Sequence, residues 1–428
     1  MQIAQLHQLF IQSKGICTDT RQLKKNTIFF ALKGENFNGN QYALQALQNG
    51  CSYVVVDEQE FASNERCILV DSVLNTLQLL ANYHRKQFNI PIIGITGSNG
   101  KTTTKELMGE VLKQKYKVLV TQGNLNNHLG VPFTLLHLNS SHQIAIIEMG
   151  ANKPGDIKEL VKIAEPTHGI ITNIGTAHIE GFGSFQGVLK TKLELYDFIV
   201  SNKGCIFINK DDEILMSHLP KVDYSTYSNQ NNEADVVGEL IELTPFVNFK
   251  WQSGDYQSHL IKTHLVGEYN FTNFLASICV GNYFKVPSEQ INLALSNYKP
   301  SNNRSQVTKT NKNTLIVDCY NANPTSMMSA LQSFKMINHS NKLAILGDML
   351  ELGEISQIEH KKVIDWLVEN KIDALLIGKE FSKIKSQFKT YNSTQQLIAD
   401  FNLSSLNNQL ILLKGSRGIK LEGLIEKL

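Results

Sequence analysis

A chain of 428 residues exceeds what one small core organises and, at about 150 residues per domain, fits roughly three domains. Hydrophobic residues make up 42% and charged residues 19%, with 9 prolines, which excludes a disordered or fibrous chain. Forty-one Lys plus Arg against 39 Asp plus Glu leaves a formal charge of +2 without a basic or acidic block, so no nucleic-acid partner is expected. The six cysteines are scattered, with no C-x-x-C pair, and read as reduced thiols. The start, Met1-Gln2-Ile3-Ala4-Gln5, has no charged n-region or apolar h-region, and no apolar run approaches the roughly 20 residues of a membrane span. A soluble cytoplasmic protein is the expectation.

In chain order, short β-rich runs at 27–32, 53–57 and 67–71 alternate with helical patterns such as 42–49, which predicts a small α/β domain over 1–88. From residue 90 the pattern becomes strand then helix: 91–96, 117–121, 144–148, 169–173 and 205–209 read as buried parallel strands of a doubly wound sheet in a domain spanning 89–299. Ligands collect at the carboxyl ends of such strands. A polar stretch over 298–303 is a linker. Strands at 314–318, 342–347, 373–377 and 410–413, with helices between them, predict a second open α/β sheet, a Rossmann-like domain over 300–428. The fold class is therefore α/β in three domains.

The strongest local signal is Gly94-Ile95-Thr96-Gly97-Ser98-Asn99-Gly100-Lys101-Thr102-Thr103-Thr104, after the 91–96 strand and opening a helix near Lys101. Glycines let backbone N–H groups wrap phosphate oxygens, the helix terminus adds positive potential, Lys101 reaches the terminal phosphates and Thr102 is a Mg²⁺ ligand. A nucleoside triphosphate follows, although the general pattern wants its first glycine at Ile95 and here it stands at Gly94. Glu148 closes the 144–148 strand, and His178 follows Thr172-Asn173-Ile174-Gly175-Thr176-Ala177. A carboxylate and an imidazole on the phosphate-loop edge suit Mg²⁺ that neutralises phosphate charge. Asn209-Lys210-Asp211-Asp212 imitates a guanine-reading motif, but no D-x-x-G stands between it and the phosphate loop, so a GTPase switch is set aside.

Thr96-Gly97-Ser98-Asn99-Gly100-Lys101-Thr102 resembles the ATP loop of the Mur ligase superfamily, which also includes folylpolyglutamate synthases. Ile147-Glu148-Met149-Gly150-Ala151-Asn152, Thr172-Asn173-Ile174-Gly175 with Ala177-His178, and Gly267-Glu268-Tyr269-Asn270-Phe271-Thr272-Asn273 follow in the family's order. Four further stretches resemble the members that join D-alanyl-D-alanine to UDP-N-acetylmuramoyl-tripeptide. They are Gly123-Asn124-Leu125-Asn126-Asn127 with Gly130-Val131-Pro132, Tyr320-Asn321-Ala322-Asn323-Pro324, Leu346-Gly347-Asp348-Met349-Leu350-Glu351-Leu352-Gly353, and Lys414-Gly415-Ser416-Arg417. The resemblance runs from Thr18-Asp19-Thr20-Arg21 to Arg417, nearly the whole chain.

The resemblance implies an N-terminal UDP-sugar domain, a central ATPase and a closing C-terminal domain. It also implies that ATP converts the tripeptide carboxylate to an acyl phosphate which the dipeptide amine attacks, with a monomer as the working unit. Gly97, Ser98, Asn99, Gly100, Lys101, Thr102 and Thr103 would hold the phosphates. Thr102 and Glu148 would bind the nucleotide Mg²⁺, and Glu148 with His178 a second ion. Lys192, in Thr191-Lys192-Leu193-Glu194, aligns with a lysine that relatives carry as a carbamate toward that second ion; Lys190 is its competing neighbour. Asn270 and Asn273 would contact adenine, Arg304 the terminal phosphate, and Asp318, Tyr320 and Asn323 the nucleoside. Thr18, Asp19, Thr20, Arg21, Lys33 and Gly34 would face the UDP-sugar, Asn124, Asn126 and Asn127 the peptide, and Asp348 and Glu351 the dipeptide. Tyr269 stands where relatives often have His. A sister ligase adding a diamino acid to the dipeptide precursor is the alternative, but its Asp-Asn-Pro-Arg is absent. A catalytically silent scaffold does not account for intact Lys101, Glu148 and His178.

Overall fold

The computed structural model describes residues 1–243 and 245–428. They form two compact units that interleave along the chain: 1–94, 117–150 and 156–167 in the first, and 95–116, 151–155 and 168–428 in the second.

The first unit opens with helix Ile3–Gln12, followed by a parallel sheet in the order Ile16–Cys17, Ile28–Phe30, Tyr53–Val56, Cys67–Leu69. Strand Ile28–Phe30 is buried along its length, as expected of a parallel strand covered on both faces. Phe29, Ala46, Val54 and Val56 share one core beneath helix Ala43–Gln48. Helix Val73–Arg85 starts where Ser72 Oγ accepts the Asn75 N–H. Strands Val118–Val120 and Ile144–Glu148 pair in parallel, and the Ala145 N–H donates to the Pro91 carbonyl at the start of strand Ile92–Thr96.

In the second unit the end of that strand lies beside His168–Ile171, where the Thr172 N–H donates to the Thr96 carbonyl. Strands Cys205–Asn209, Asp223–Ser228 and Val236–Glu242 follow in parallel. The sheet then reverses: Phe246–Ser253 is antiparallel to Val236–Glu242, and Ile261–Val266 is antiparallel to Phe246–Ser253. The expected five-strand parallel sheet is thus extended by a mixed edge. Its strands alternate buried and open positions, as in Ile261–Val266, where Ile261 and Thr263 are buried and Lys262 is exposed. The C-terminal sheet has the order Gln306–Lys309, Thr314–Asp318, Leu410–Lys414, Lys342–Gly347, Asp373–Ile377, Lys389–Tyr391, parallel except for its first hairpin. Helices on both faces bury separate cores around Leu331, Phe334 and Leu376, and around Leu315, Ile345 and Leu413. Adjacent carboxyl ends at Asp318, Lys414 and Gly347 bring three of the sequence motifs to one edge.

Among the described residues no helix is long and apolar enough to cross a membrane.

Candidate active site

The phosphate loop is held open from behind. Gly97 has φ +141, and a Cβ there would stand 2.0 Å from Thr172 Oγ1; Gly100 has φ +81, and its Cβ would stand 2.7 Å from Asn273 Oδ1. Both glycines are therefore required by backbone conformation and by close approach. The Ser98 N–H donates to the Asn173 carbonyl at 3.0 Å, Ser98 Oγ accepts the Gly175 N–H at 2.8 Å, and Thr172 Oγ1 donates to the Asn99 carbonyl at 2.6 Å. Asn173 clamps Asn99 from both sides, its Oδ1 accepting the Asn99 N–H and its Nδ2 donating to the Asn99 carbonyl, each at 3.0 Å. Sequence reading singled out His178 in this stretch and missed Thr172 and Asn173. The signal was there: two hydrogen-bonding side chains at a strand end parallel to the loop strand.

Helix Lys101–Lys113 begins at Gly100, and no side chain caps it. The positive end of its dipole faces the glycine-rich loop, which fits phosphate. Lys101 Nζ turns back onto the carbonyls of Gly97 and Ser98 at 2.8 and 3.3 Å. Thr102 and Thr103 are buried in the first turn, and Thr104 Oγ1 donates to Asn273 Oδ1. Asn273 Nδ2 in turn donates to Asn270 Oδ1, and Asn270 Nδ2 to the Val266 carbonyl, so the proposed adenine pair forms a buried amide chain under the loop helix.

His178 is a non-glycine residue at φ +55, heading the short helix Ile179–Phe182. Its Nδ1 pairs with Glu351, itself at φ +64. Both residues thus hold their backbones in the sparsely populated left-handed region where their side chains meet. Burial pushes the His178 imidazole below its ordinary pKa against the pull of Glu351, and Lys101 and Lys192 push it the same way. A neutral imidazole with an available lone pair fits a divalent cation. Lys192, on helix Phe185–Ser201, is 3% exposed, with Nζ 5.6 Å from the Phe182 ring centroid, whereas Lys190 is exposed. Lys192 is therefore no ordinary solvated helix lysine.

The C-terminal motifs reach this loop. Asn323 accepts the Ser326 N–H to cap helix Pro324–Met336 and donates from Nδ2 to Asn99 Oδ1 at 2.7 Å, while Thr325 lies 3.4 Å from Thr176. Tyr298 and Asn302, in the expected linker, donate to Glu106 on the loop helix. Asp318 is tied into the sheet edge. It pairs with buried Lys414 at 2.6 Å and accepts the Ser305 N–H, and Tyr269 joins Ser305 Oγ at 2.9 Å. Asp348 is 2% exposed and accepts the N–H groups of Glu380 and Phe381, so its carboxylate caps helix Lys379–Ser382. Burial raises its pKa.

In the first unit Glu148 is 1% exposed; its N–H donates to Thr121 Oγ1, and Asn126 Nδ2 donates to its Oε1 at 2.7 Å. The structure thus joins two residues that the sequence assigned to different ligands. Asn127 Oδ1 accepts from Leu129 and Gly130 and starts helix Gly130–Leu135, while Asn124 is exposed. Asp19 holds Arg21 at 2.8 Å, and that guanidinium draws the Asp19 carboxyl down to about 2; Thr18 precedes the pair in the chain and Thr20 lies between its members. Lys33 bridges Asp57 and Glu58 at 2.8 Å each, and Gly34 lies beside open space. The imitation guanine motif is structural: Asp212 caps helix Glu213–Ser217, and Asp211 accepts from Ser228 and Asn229.

Comparisons with known proteins cover the whole chain. The Mur ligase middle domain matches residues 95–281, and the Mur ligase, glutamate ligase domain matches 303–417. The UDP-N-acetylmuramoyl-tripeptide--D-alanyl-D-alanine ligase of Bacillus subtilis is 33% identical over 97% of this chain and 93% of its own. The crystal structure of MurF from Acinetobacter baumannii superposes with a TM-score of 0.89 at 30% identity, covering 99% of this chain and 98% of the other. MurF ligase from Thermotoga maritima in complex with ADP gives 0.87 at 26% identity, over 98% and 97%.

Proposed function

The chain belongs to the Mur ligase family, and from that premise we propose that it joins D-alanyl-D-alanine to UDP-N-acetylmuramoyl-tripeptide at the expense of ATP, a step of peptidoglycan synthesis. The observation that carries this reading is the hydrogen bond from Asn323 to Asn99, which brings the Tyr320–Pro324 motif onto the phosphate loop. We assign residues 1–88 to the UDP-sugar, 89–299 to ATP and 300–428 to closure with the dipeptide.

A carboxylate resists an amine because oxide is a poor leaving group. In the proposed reaction a carboxylate oxygen of the tripeptide attacks the γ-phosphorus of ATP, ADP leaves, and an acyl phosphate forms. The dipeptide amine then attacks the acyl carbon, phosphate leaves with the C–O electron pair, and the amine loses its proton to give the amide. Lys101 and the open end of helix Lys101–Lys113 hold the phosphates and offset the charge of two anions brought together. Thr102 and Glu148, with His178 for a second ion, have the hard oxygen and neutral nitrogen donors that suit Mg²⁺, which screens that charge when bound. Carbamylation of Lys192 would add a carboxylate to the set, and its burial beside His178's field supports that role.

The test is phosphate release from ATP across a panel of amine acceptors. Turnover is expected only with UDP-N-acetylmuramoyl-tripeptide and D-alanyl-D-alanine together; turnover with a single diamino acid and the dipeptide precursor would transfer the chain to the sister activity.

A further inference from the structure

Two guanidinium groups share one aromatic ring at the carboxyl edge of the C-terminal sheet. Arg304 Cζ lies 3.7 Å from the centroid of the Tyr320 ring, and Arg417 Cζ lies 5.5 Å from it. Tyr320 follows strand Thr314–Asp318 and Arg417 follows the neighbouring Leu410–Lys414, so the sheet itself brings them together. The ring face attracts each cation, but the two cations repel each other. Among the described residues neither is paired with a carboxylate. The nearby acids are engaged: Asp318 by Lys414, and Glu106 by Tyr298 and Asn302. Arg304 Nε is buried without a hydrogen-bond partner. An N–H excluded from water and left unpaired is costly, and here it points to an oxyanion as part of the cluster.

Arg417 is exposed, and its loop is tied to the one that carries Glu351. The Leu350 N–H donates to Ser416 Oγ at 2.9 Å, and the Ser416 N–H donates to the Asp348 carbonyl at 3.0 Å. The backbone that carries Arg417 is thereby tied to the loop that makes the Glu351–His178 contact. The dipeptide arrives as a zwitterion whose amine must reach the acyl carbon while its carboxylate is held elsewhere. Glu351 on the neighbouring loop is an acid and would repel that carboxylate, whereas the exposed Arg417 guanidinium suits it through a charge-assisted, two-pronged hydrogen bond. We propose that Arg417, braced on Tyr320 beside Arg304, is the specificity residue for the terminal carboxylate of the incoming dipeptide.

This assignment rests on the ligase reading above, and the experiment separates the two. Wild-type turnover with D-alanyl-D-alanine tests that reading alone, before any variant is compared. Arg417→Gln, with full-length protein and thermal unfolding as the folding control, is then assayed with D-alanyl-D-alanine and with its C-terminal amide. The expected result is a rise of about tenfold or more in KM for the dipeptide, KM for ATP within about twofold, and loss of the wild-type preference for acid over amide. A merely structural role would lower both substrates together and keep the preference. Retention of the preference overturns the proposal, as does a rise confined to KM for ATP, which would give Arg417 to a phosphate instead.

Discussion

Asn173 offers the sharpest test of how the phosphate loop is built, because its side chain makes two hydrogen bonds to a single residue of the loop. Replacing it with alanine removes the acceptor for the Asn99 N–H and the donor to the Asn99 carbonyl, both at 3.0 Å. The carbonyl keeps Thr172 Oγ1 at 2.6 Å, whereas the N–H keeps nothing from that side chain. At about 0.5–1.5 kcal/mol for each bond the loop loses about 1–3 kcal/mol of preference for its phosphate-ready shape. Binding must then restore that shape, so ADP affinity should fall roughly 5- to 150-fold. Isothermal titration of ADP into Asn173→Ala measures this, and thermal unfolding confirms that the fold is intact. Thr172→Val removes the remaining side-chain donor to the Asn99 carbonyl, and the double variant should be non-additive because both residues serve one partner. ADP affinity within about twofold of wild type in Asn173→Ala would refute the claim that this clamp sets the loop.

Lys101→Ala should lower phosphate release by about 10²- to 10³-fold or more, read in the acceptor panel, since no other side chain on the loop carries a positive charge. Lys192→Ala should also lose turnover, and short carboxylic acids should restore part of it if a carbamate is the working form; full activity without them would end that assignment. Lys414→Met leaves the largely buried Asp318 without its cation and should cost about 1–3 kcal/mol in urea unfolding, much of it recovered when Asp318→Asn is added. Burial on the Phe207 ring draws the His168 imidazole down to about 4. The unfolded chain therefore binds more protons between about 6.5 and 4, so stability is full above that window and falls by about 3 kcal/mol as pH drops through it. His168→Phe should flatten that part of the stability profile.

The chemistry-bearing parts of this molecule were legible because they are local. A glycine-flanked lysine after an apolar run specifies a strand, a turn and a helix terminus within a few residues, and helix Lys101–Lys113 starts where that pattern places it. The later strands of the central sheet were not legible in the same way. Asp223–Ser228 is rich in polar residues and Val236–Glu242 is broken by Gly238 and Glu239, so their strand character comes from pairing with neighbours rather than from a continuous apolar run. Side-chain employment was hidden for a related reason. Asp318, Asp348 and Asn127 sit in motifs that suggest ligand contact, yet each is occupied by a lysine or by backbone N–H groups that only the folded arrangement supplies. A motif identifies which residues matter and leaves open whether they touch the ligand or hold the residue that does.

The balance of charge follows the same division of labour. A net charge of +2 over 428 residues gives no general field to draw in ATP and a UDP-sugar, so attraction has to be built at points. Lys101 at the open end of its helix is one such point, and the Arg304–Tyr320–Arg417 cluster is another. Other cations are neutralised internally: Lys414 by Asp318, Lys33 by Asp57 and Glu58, and Arg21 by Asp19. Lys101 and Arg417 thus stand where phosphate chemistry or carboxylate recognition would use a cation, whereas Lys414 serves as a brace. Substituting the buried bracing cation Lys414 should therefore change stability first, and substituting Lys101 or Arg417 should change kinetics while the unfolding midpoint stays in place. A shared midpoint shift across both groups would show that the division does not hold.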